Sequence, residues 1–354
     1  MNWRDRHLWI VIGCGLATGV LGVLLAYWGN PENSGICVSC FVENSAGALG
    51  LHGNERMQYL RPELVGFLLG SLASAALFRE FRSRGGSAPL PRLFAGVLLI
   101  VGSAVFIGCP IKLVLRLSAG DLSALAGAAG LVAGVWLGLK GLAVGVSLGR
   151  PRDERGGSGL LLPLFFLLLL VFVLAPPVFL LVSERGSATR HAPWLLALGA
   201  GLGLGAFAQR SRFCITGGVR DGFLLGRRAP LLWGLIAFIF AAVGLSLALG
   251  RFHLGLHGQP GAHVEALWSF LGMALVGWLS ALIGGCPFRQ LIKAGEGDAD
   301  AGIVVVGMFL GGGLVQTWGI AATAAGVPLA GKVAVLAGLL LVTAATLTFR
   351  DRRA

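Results

Sequence analysis

From Leu8 to Trp28 the chain runs for about twenty residues without one charged side chain. A run of this length matches the hydrocarbon thickness of a bilayer at 1.5 Å rise per residue. Lipid offers backbone groups no hydrogen bonds, so a spanning segment must satisfy them itself, as a helix or a closed barrel. Further apolar segments fall at 63–78, 93–109, 122–147, 160–182, 194–209, 229–250, 265–285, 300–322 and 332–349. Together they predict about ten spanning helices. The chain is 56% hydrophobic and 12% charged, about half the charge of a soluble domain, so no soluble domain is expected. The 57 glycines suit close helix packing in lipid. The first apolar run is long enough to remain as a span rather than be cleaved as a leader.

The net charge is +12, and 24 of the 28 cations are arginine. In a membrane protein such an excess reads first as topology, and nucleic acid is not expected as a partner. Arg4, Arg6, the stretch REFRSR from Arg79, RPRDER from Arg150, Arg227–Arg228 and the tail RDRRA all fall on one side if ten spans alternate. The positive-inside bias then places both termini in the cytoplasm. The opposite loops hold Arg56, Arg61, Arg185, Arg190, Arg251 and Lys332. The segment 29–62 is too polar to span and is expected to include a re-entrant piece.

A repeat divides the chain. GCPIKLVLRLSAGD begins at Gly108 and GCPFRQLIKAGEGD at Gly285, 177 residues apart, half the chain. Cys109 matches Cys286, Lys112 matches Arg289, Arg116 matches Lys293 and Asp121 matches Asp298, without a gap. The same offset carries Cys37 onto Cys214 and Asn44 onto Asp221. Five spans per half is an odd number, so the second half enters from the opposite face. The expectation is an all-α polytopic membrane protein of two inverted-topology five-helix repeats, residues 1–182 and 183–354.

In each copy glycine permits a sharp break and proline suits the first turn of a new helix, whose positive end then faces the cysteine. The cations four residues apart share one face of that helix. Thiol, helix N-terminus and cations make a site for an anion that also tolerates a soft sulfur partner. Cys37, Cys109, Cys214 and Cys286 are the candidate pathway, with Lys112, Arg116, Arg289 and Lys293 as two basic vestibules. Arg210, Arg212 and Arg220 are candidates for an entrance, weighed evenly against the positive-inside bias. A buried free cysteine is often only a small hydrophobe, which is the expectation for Cys14. Cys40 matches Gly217, and a Cys37–Cys40 disulfide stays open if an oxidising compartment reaches it. Lys140 sits in an apolar span with no visible partner, and His253, His257 and His263 share one loop that is a weak candidate for metal. No haem or phosphate-binding motif is present, and no cofactor is called for.

The stretches RSRFCITGGVRD (210–221) and GGCPFRQLIKAGEGD (284–298) resemble the two cysteine motifs of the YeeE/YedE family of sulfur-transport membrane proteins. GICVSCF in the first half most resembles the YedE branch, linked to selenium metabolism. The resemblance implies an inner-membrane protein with inverted repeats, two positively charged funnels and central cysteines that pass thiosulfate by weak S–H contacts. In this chain that role falls on Cys214, Cys109 and Cys286, with Cys37 as the first-half counterpart. The expected function is transport of a small selenium or sulfur species, with thiosulfate as the alternative substrate. A cytoplasmic sulfur or selenium carrier is a further expected partner beside the lipid bilayer. A membrane thiol redox protein without transport is the reading from another class.

Overall fold

The computed structural model describes residues 5–149, 151–154 and 157–348. Arg4, Arg150, Arg155 and the tail RDRRA, used above for topology, lie outside the described residues. Among the described residues the protein is mainly helical, with a two-residue antiparallel ladder that pairs Arg84–Gly85 with Arg152–Asp153 and a few isolated bridges. The first half holds α1 (Arg6–Tyr27), α2 (Val38–Ala48), α3 (Pro62–Leu77), α4 (Pro89–Phe106), α5 (Pro110–Ser118), α6 (Ala124–Ala143) and α7 (Ser158–Leu174). The second holds α8 (Trp194–Ser211), α9 (Ile215–Leu225), α10 (Pro230–Ala248), α11 (Ala266–Ile283), α12 (Pro287–Gly295), α13 (Ala299–Thr317) and α14 (Leu329–Thr348).

Each of the ten apolar segments is a helix. Among the described residues, seven helical stretches are long and apolar enough to cross a membrane, counting α4–α5 and α11–α12 as one stretch each. Helices α3 and α7 are apolar but shorter, and α8 ends on the polar Gln209 and Arg210. The segment expected to run to residue 182 stops at Leu174, because Pro176 and Pro177 follow and disfavour helix in the residues before them. The polar stretch 29–62 contains the short buried helix α2, which fits the expected re-entrant piece.

Long and short helices follow the same order in both halves, and α2/α9, α4/α11 and α5/α12 start and stop 177 residues apart. Their packing also exchanges. Helix α1 lies on α10 as α3 lies on α8, α6 lies on α11 as α13 lies on α4, and α4 meets α11 at the centre. The outer helices depart from this pattern: α7 packs on α3, whereas α14 packs on α4 and α11. Glycine sets the approach between α6 and α11. A Cβ added at Gly130 or Gly134 would run into the carbonyls of Phe270 and Ala274, and one at Gly277 into that of Leu131. Without a hydrophobic drive between helices in lipid, such backbone contact is a main source of association.

Candidate functional site

Four short helices begin directly after a cysteine, and the local backbone explains each break. Helix α11 ends at Gly284 in the left-handed region (φ 78°), and Gly285 (φ 156°) carries the chain to Cys286 before Pro287 opens α12. In the first copy Ile107 (φ 63°) ends α4, Cys109 is extended and Pro110 opens α5. The other pair caps with sulfur. Cys214 Sγ accepts the amide of Gly217 at 3.3 Å, at the start of α9. Cys37 Sγ accepts the amide of Cys40 at 3.4 Å, at the start of α2. The hydroxyls of Thr216 and Ser39 lie 3.2 and 3.5 Å from those sulfurs, again at matched positions.

In the second half the two cysteines meet. The sulfurs of Cys214 and Cys286 are 3.6 Å apart, and the Cys286 amide points at Cys214 Sγ from 3.5 Å. Backbone amides and a hydroxyl thus crowd around Cys214 Sγ, an arrangement that favours electron density on that sulfur. Cys214 lines a cavity of about 370 Å³, while Cys286 lies behind it, 1% exposed. Arg212, Arg220, Arg289 and Lys293 line the same cavity, with Asp221 as the acid among its walls. Arg289 is paired with Glu296 at 3.0 Å, Lys293 with Asp298 at 3.2 Å and Arg220 with Asp221 at 2.8 Å. The cations of this vestibule are therefore partly neutralised from behind.

The first half is built differently. Cys37 and Cys40 are joined as a disulfide, one of the two states the sequence allows, whereas Cys109, Cys214 and Cys286 keep free thiols. Cys40 lines a larger cavity of about 810 Å³, together with Lys112, Glu43, Arg61, Arg190 and Gln316. Arg116 does not join it. Its guanidinium is fully buried and bonded to Asp121 (2.7 Å), the Phe106 carbonyl (2.9 Å) and Ser123 (2.9 Å). The expected vestibule role of Arg116 is corrected to that of a structural tie, since a desolvated ion must keep its partners. Lys112, by contrast, is 2% exposed and has no hydrogen bond or ion pair among the described residues.

The remaining candidates separate cleanly. Cys14 is fully buried within α1, in the apolar core, with the side chains of Thr18 and Ser211 beside its sulfur. Lys140 is exposed in the last turn of α6 with its ammonium over Trp136. His253 and His257 are exposed, while His263 is buried and bonded to the Val105 carbonyl at 2.7 Å. Burial pushes its imidazole below the usual histidine range, the carbonyl opposing. The three do not form a metal-holding group among the described residues.

Several residues carry a signal that the repeat logic passed over. Ser103 and Ser280 obey the same 177-residue offset, and both hydroxyls are buried without a hydrogen-bond partner. Ser280 lines the smaller cavity. Gln290 Oε1 is likewise buried and unpartnered. In the larger cavity Glu43 accepts from Gln316 at 2.6 Å, and Arg61 donates to Asn44 at 2.8 Å and to Asn30 at 3.3 Å. Arg61, Asn30 and Glu43 lie outside the repeated motifs, so only the folded chain reveals them.

The fold and these cavities define an all-α, multi-pass membrane protein with a cysteine pair behind a cation-walled vestibule. Residues 210–351 match the family model described as sulphur transport. That stretch, about two fifths of the chain, holds Cys214, Cys286, Arg289 and Lys293, so the second half of the chain is similar to the sulphur transport family. The match, with the membrane-spanning helices, supports a sulfur-related membrane transporter. No curated protein matches the chain.

Proposed function

We propose that the protein moves a small selenium- or sulfur-bearing anion across the bacterial inner membrane, passing it along the central cysteines. The observation that carries this reading is the Cys214–Cys286 contact of 3.6 Å behind a cavity walled by Arg212, Arg220, Arg289 and Lys293. Cations concentrate the anion, and the soft sulfurs then replace part of its hydration by weak S–H contacts. In this reading residues 1–182 and 183–354 are inverted halves, both termini are cytoplasmic, and a cytoplasmic carrier takes the cargo. The exchangeable helix packing and the matched helix breaks support the symmetry. Thiosulfate is the alternative cargo. Uptake of labelled thiosulfate, selenite and sulfate into liposomes tests the reading. Uptake of either of the first two above sulfate supports it; equal leakage of all three, matching empty liposomes, contradicts it.

A second reading, a thiol redox protein without transport, is favoured by one specific observation, the Cys37–Cys40 disulfide. The same liposomes separate the two, because a redox protein of that kind gives no flux.

A further inference from the structure

Cys40 is the position at which the two halves differ in sulfur chemistry. Its counterpart is Gly217, and there the capping cysteine keeps a free thiol that reaches Cys286. In the first half the capping sulfur of Cys37 is bonded to Cys40 instead, and Cys109 is left with no thiol to play the part of Cys214. Cys37 is fully buried, whereas Cys40 is partly exposed and lines the larger cavity. At about 810 Å³ that cavity is within the size range of sites for small molecules.

We propose that Cys37–Cys40 is a thiol–disulfide exchange site that takes a small thiol or dithiol from the larger cavity, and that its reduction supplies the first-half thiol needed for flux. This rests on the transport reading above. The geometry assigns the order of events. A thiolate in the cavity can reach Cys40 Sγ but not Cys37 Sγ. It attacks Cys40, forming a mixed disulfide and breaking the Cys37–Cys40 bond. The electron pair leaves on Cys37 Sγ, which takes up the proton given up by the attacking thiol. A second thiol, from the same dithiol, then attacks the mixed disulfide and releases Cys40 as a thiol. The balance is one protein disulfide plus one dithiol giving two protein thiols plus the oxidised reagent. Cys37 suits the leaving role because its sulfur caps α2, accepting the Cys40 amide beside the Ser39 hydroxyl. A helix N-terminus stabilises a departing thiolate. The freed Cys37 would then stand to Cys109 as Cys214 stands to Cys286.

The test uses the full chain in liposomes, treated with dithiothreitol or left oxidised, then stripped of reagent under nitrogen. Alkylation after denaturation should count the chain's six cysteines as thiols in the reduced sample and four in the oxidised one. Uptake of labelled thiosulfate or selenite should be several-fold higher in the reduced sample. Cys40→Gly, which copies the second half, should be fast in both states, and Cys40→Ser should behave alike if the glycine variant does not insert. Wild-type flux that is the same in both states, or four thiols after dithiothreitol, overturns the exchange site while leaving transport standing. Absence of flux in every form overturns the transport reading, and the role given to the exchange site falls with it.

Discussion

The two cysteine sites start from one sequence pattern and end in different chemistry. In the second half a glycine follows the capping cysteine by three residues, the linker from α9 to α10 is short, and two thiols meet behind a cavity of about 370 Å³. In the first half the glycine is a cysteine, and residues 49–61 form a longer linker that contributes Asn54, Arg56, Met57 and Arg61 to a cavity of about 810 Å³. The helical frame is conserved between the halves while the linkers and single cavity-facing residues vary. Symmetry thus specifies where a site is, and local substitutions decide what it does.

The cation pairs sharpen the same comparison. Arg116–Asp121 is fully buried, whereas its counterpart Lys293–Asp298 retains some exposure and borders a cavity. The largest expected stability effect is therefore at the first pair. Asp121→Ala should destabilise by about 3–5 kcal/mol, because it strands a buried guanidinium. Asp298→Ala should cost clearly less, and thermal unfolding in detergent compares them. Equal losses would mean that the two ties are equivalent and that exposure does not separate them.

Next in size is the electrostatic effect. Arg289→Gln with Lys293→Gln should lower uptake several-fold at low ionic strength, and the difference should shrink as salt approaches 0.15 M, where the screening length is about 8 Å. Uptake measured across a salt series checks this. A loss that salt does not touch would assign these residues to packing with Glu296 and Asp298 rather than to collecting anions. Lys112→Met, at a cation that makes no direct ion pair, should lower uptake at low ionic strength without the stability loss expected at Asp121.

The smallest expected effect concerns the unpartnered hydroxyls. Ser103→Ala and Ser280→Ala each remove a buried group that already lacks a partner, so each should be neutral or stabilising by ~1 kcal/mol. If Ser280 donates to the passing anion, its variant should also take up cargo more slowly, by a factor of a few. Uptake unchanged in the presence of raised stability would leave that hydroxyl out of the path.

Much of the frame was legible in the sequence because the bilayer leaves few choices. Ten apolar segments gave ten helices, and the Gly-Cys-Pro breaks fell where glycine and proline put them. The pairing of Cys214 with Cys286 was only partly legible: the motifs marked both residues, but their 3.6 Å contact depends on how α9 meets α11. Arg116 was misread because its matched spacing with Lys293 says nothing about burial, and burial turned it inward to Asp121. Ser103 and Ser280 were visible to the offset yet carried no chemical signal, since a serine in an apolar helix usually bonds its own backbone. The Arg61 and Glu43 contacts have no repeat counterpart and became apparent only in the packed chain.

The central claim is that sulfur, and not merely a helix break, does the work at the second-half pair. The most direct measurement is uptake of labelled thiosulfate or selenite per correctly inserted molecule for Cys286→Ser, Cys109→Ser and Cys14→Ser in the same liposomes. Serine nearly preserves size and keeps a hydroxyl donor but loses the polarisable sulfur and its capacity for exchange. The account predicts that the Cys286 variant falls more than about tenfold, equivalent to ~1.4 kcal/mol in the barrier, that the Cys109 variant falls strongly as well, and that Cys14→Ser stays close to the unmodified chain. Equal flux in all three would contradict it, and would reduce Gly-Cys-Pro to a device for starting a helix.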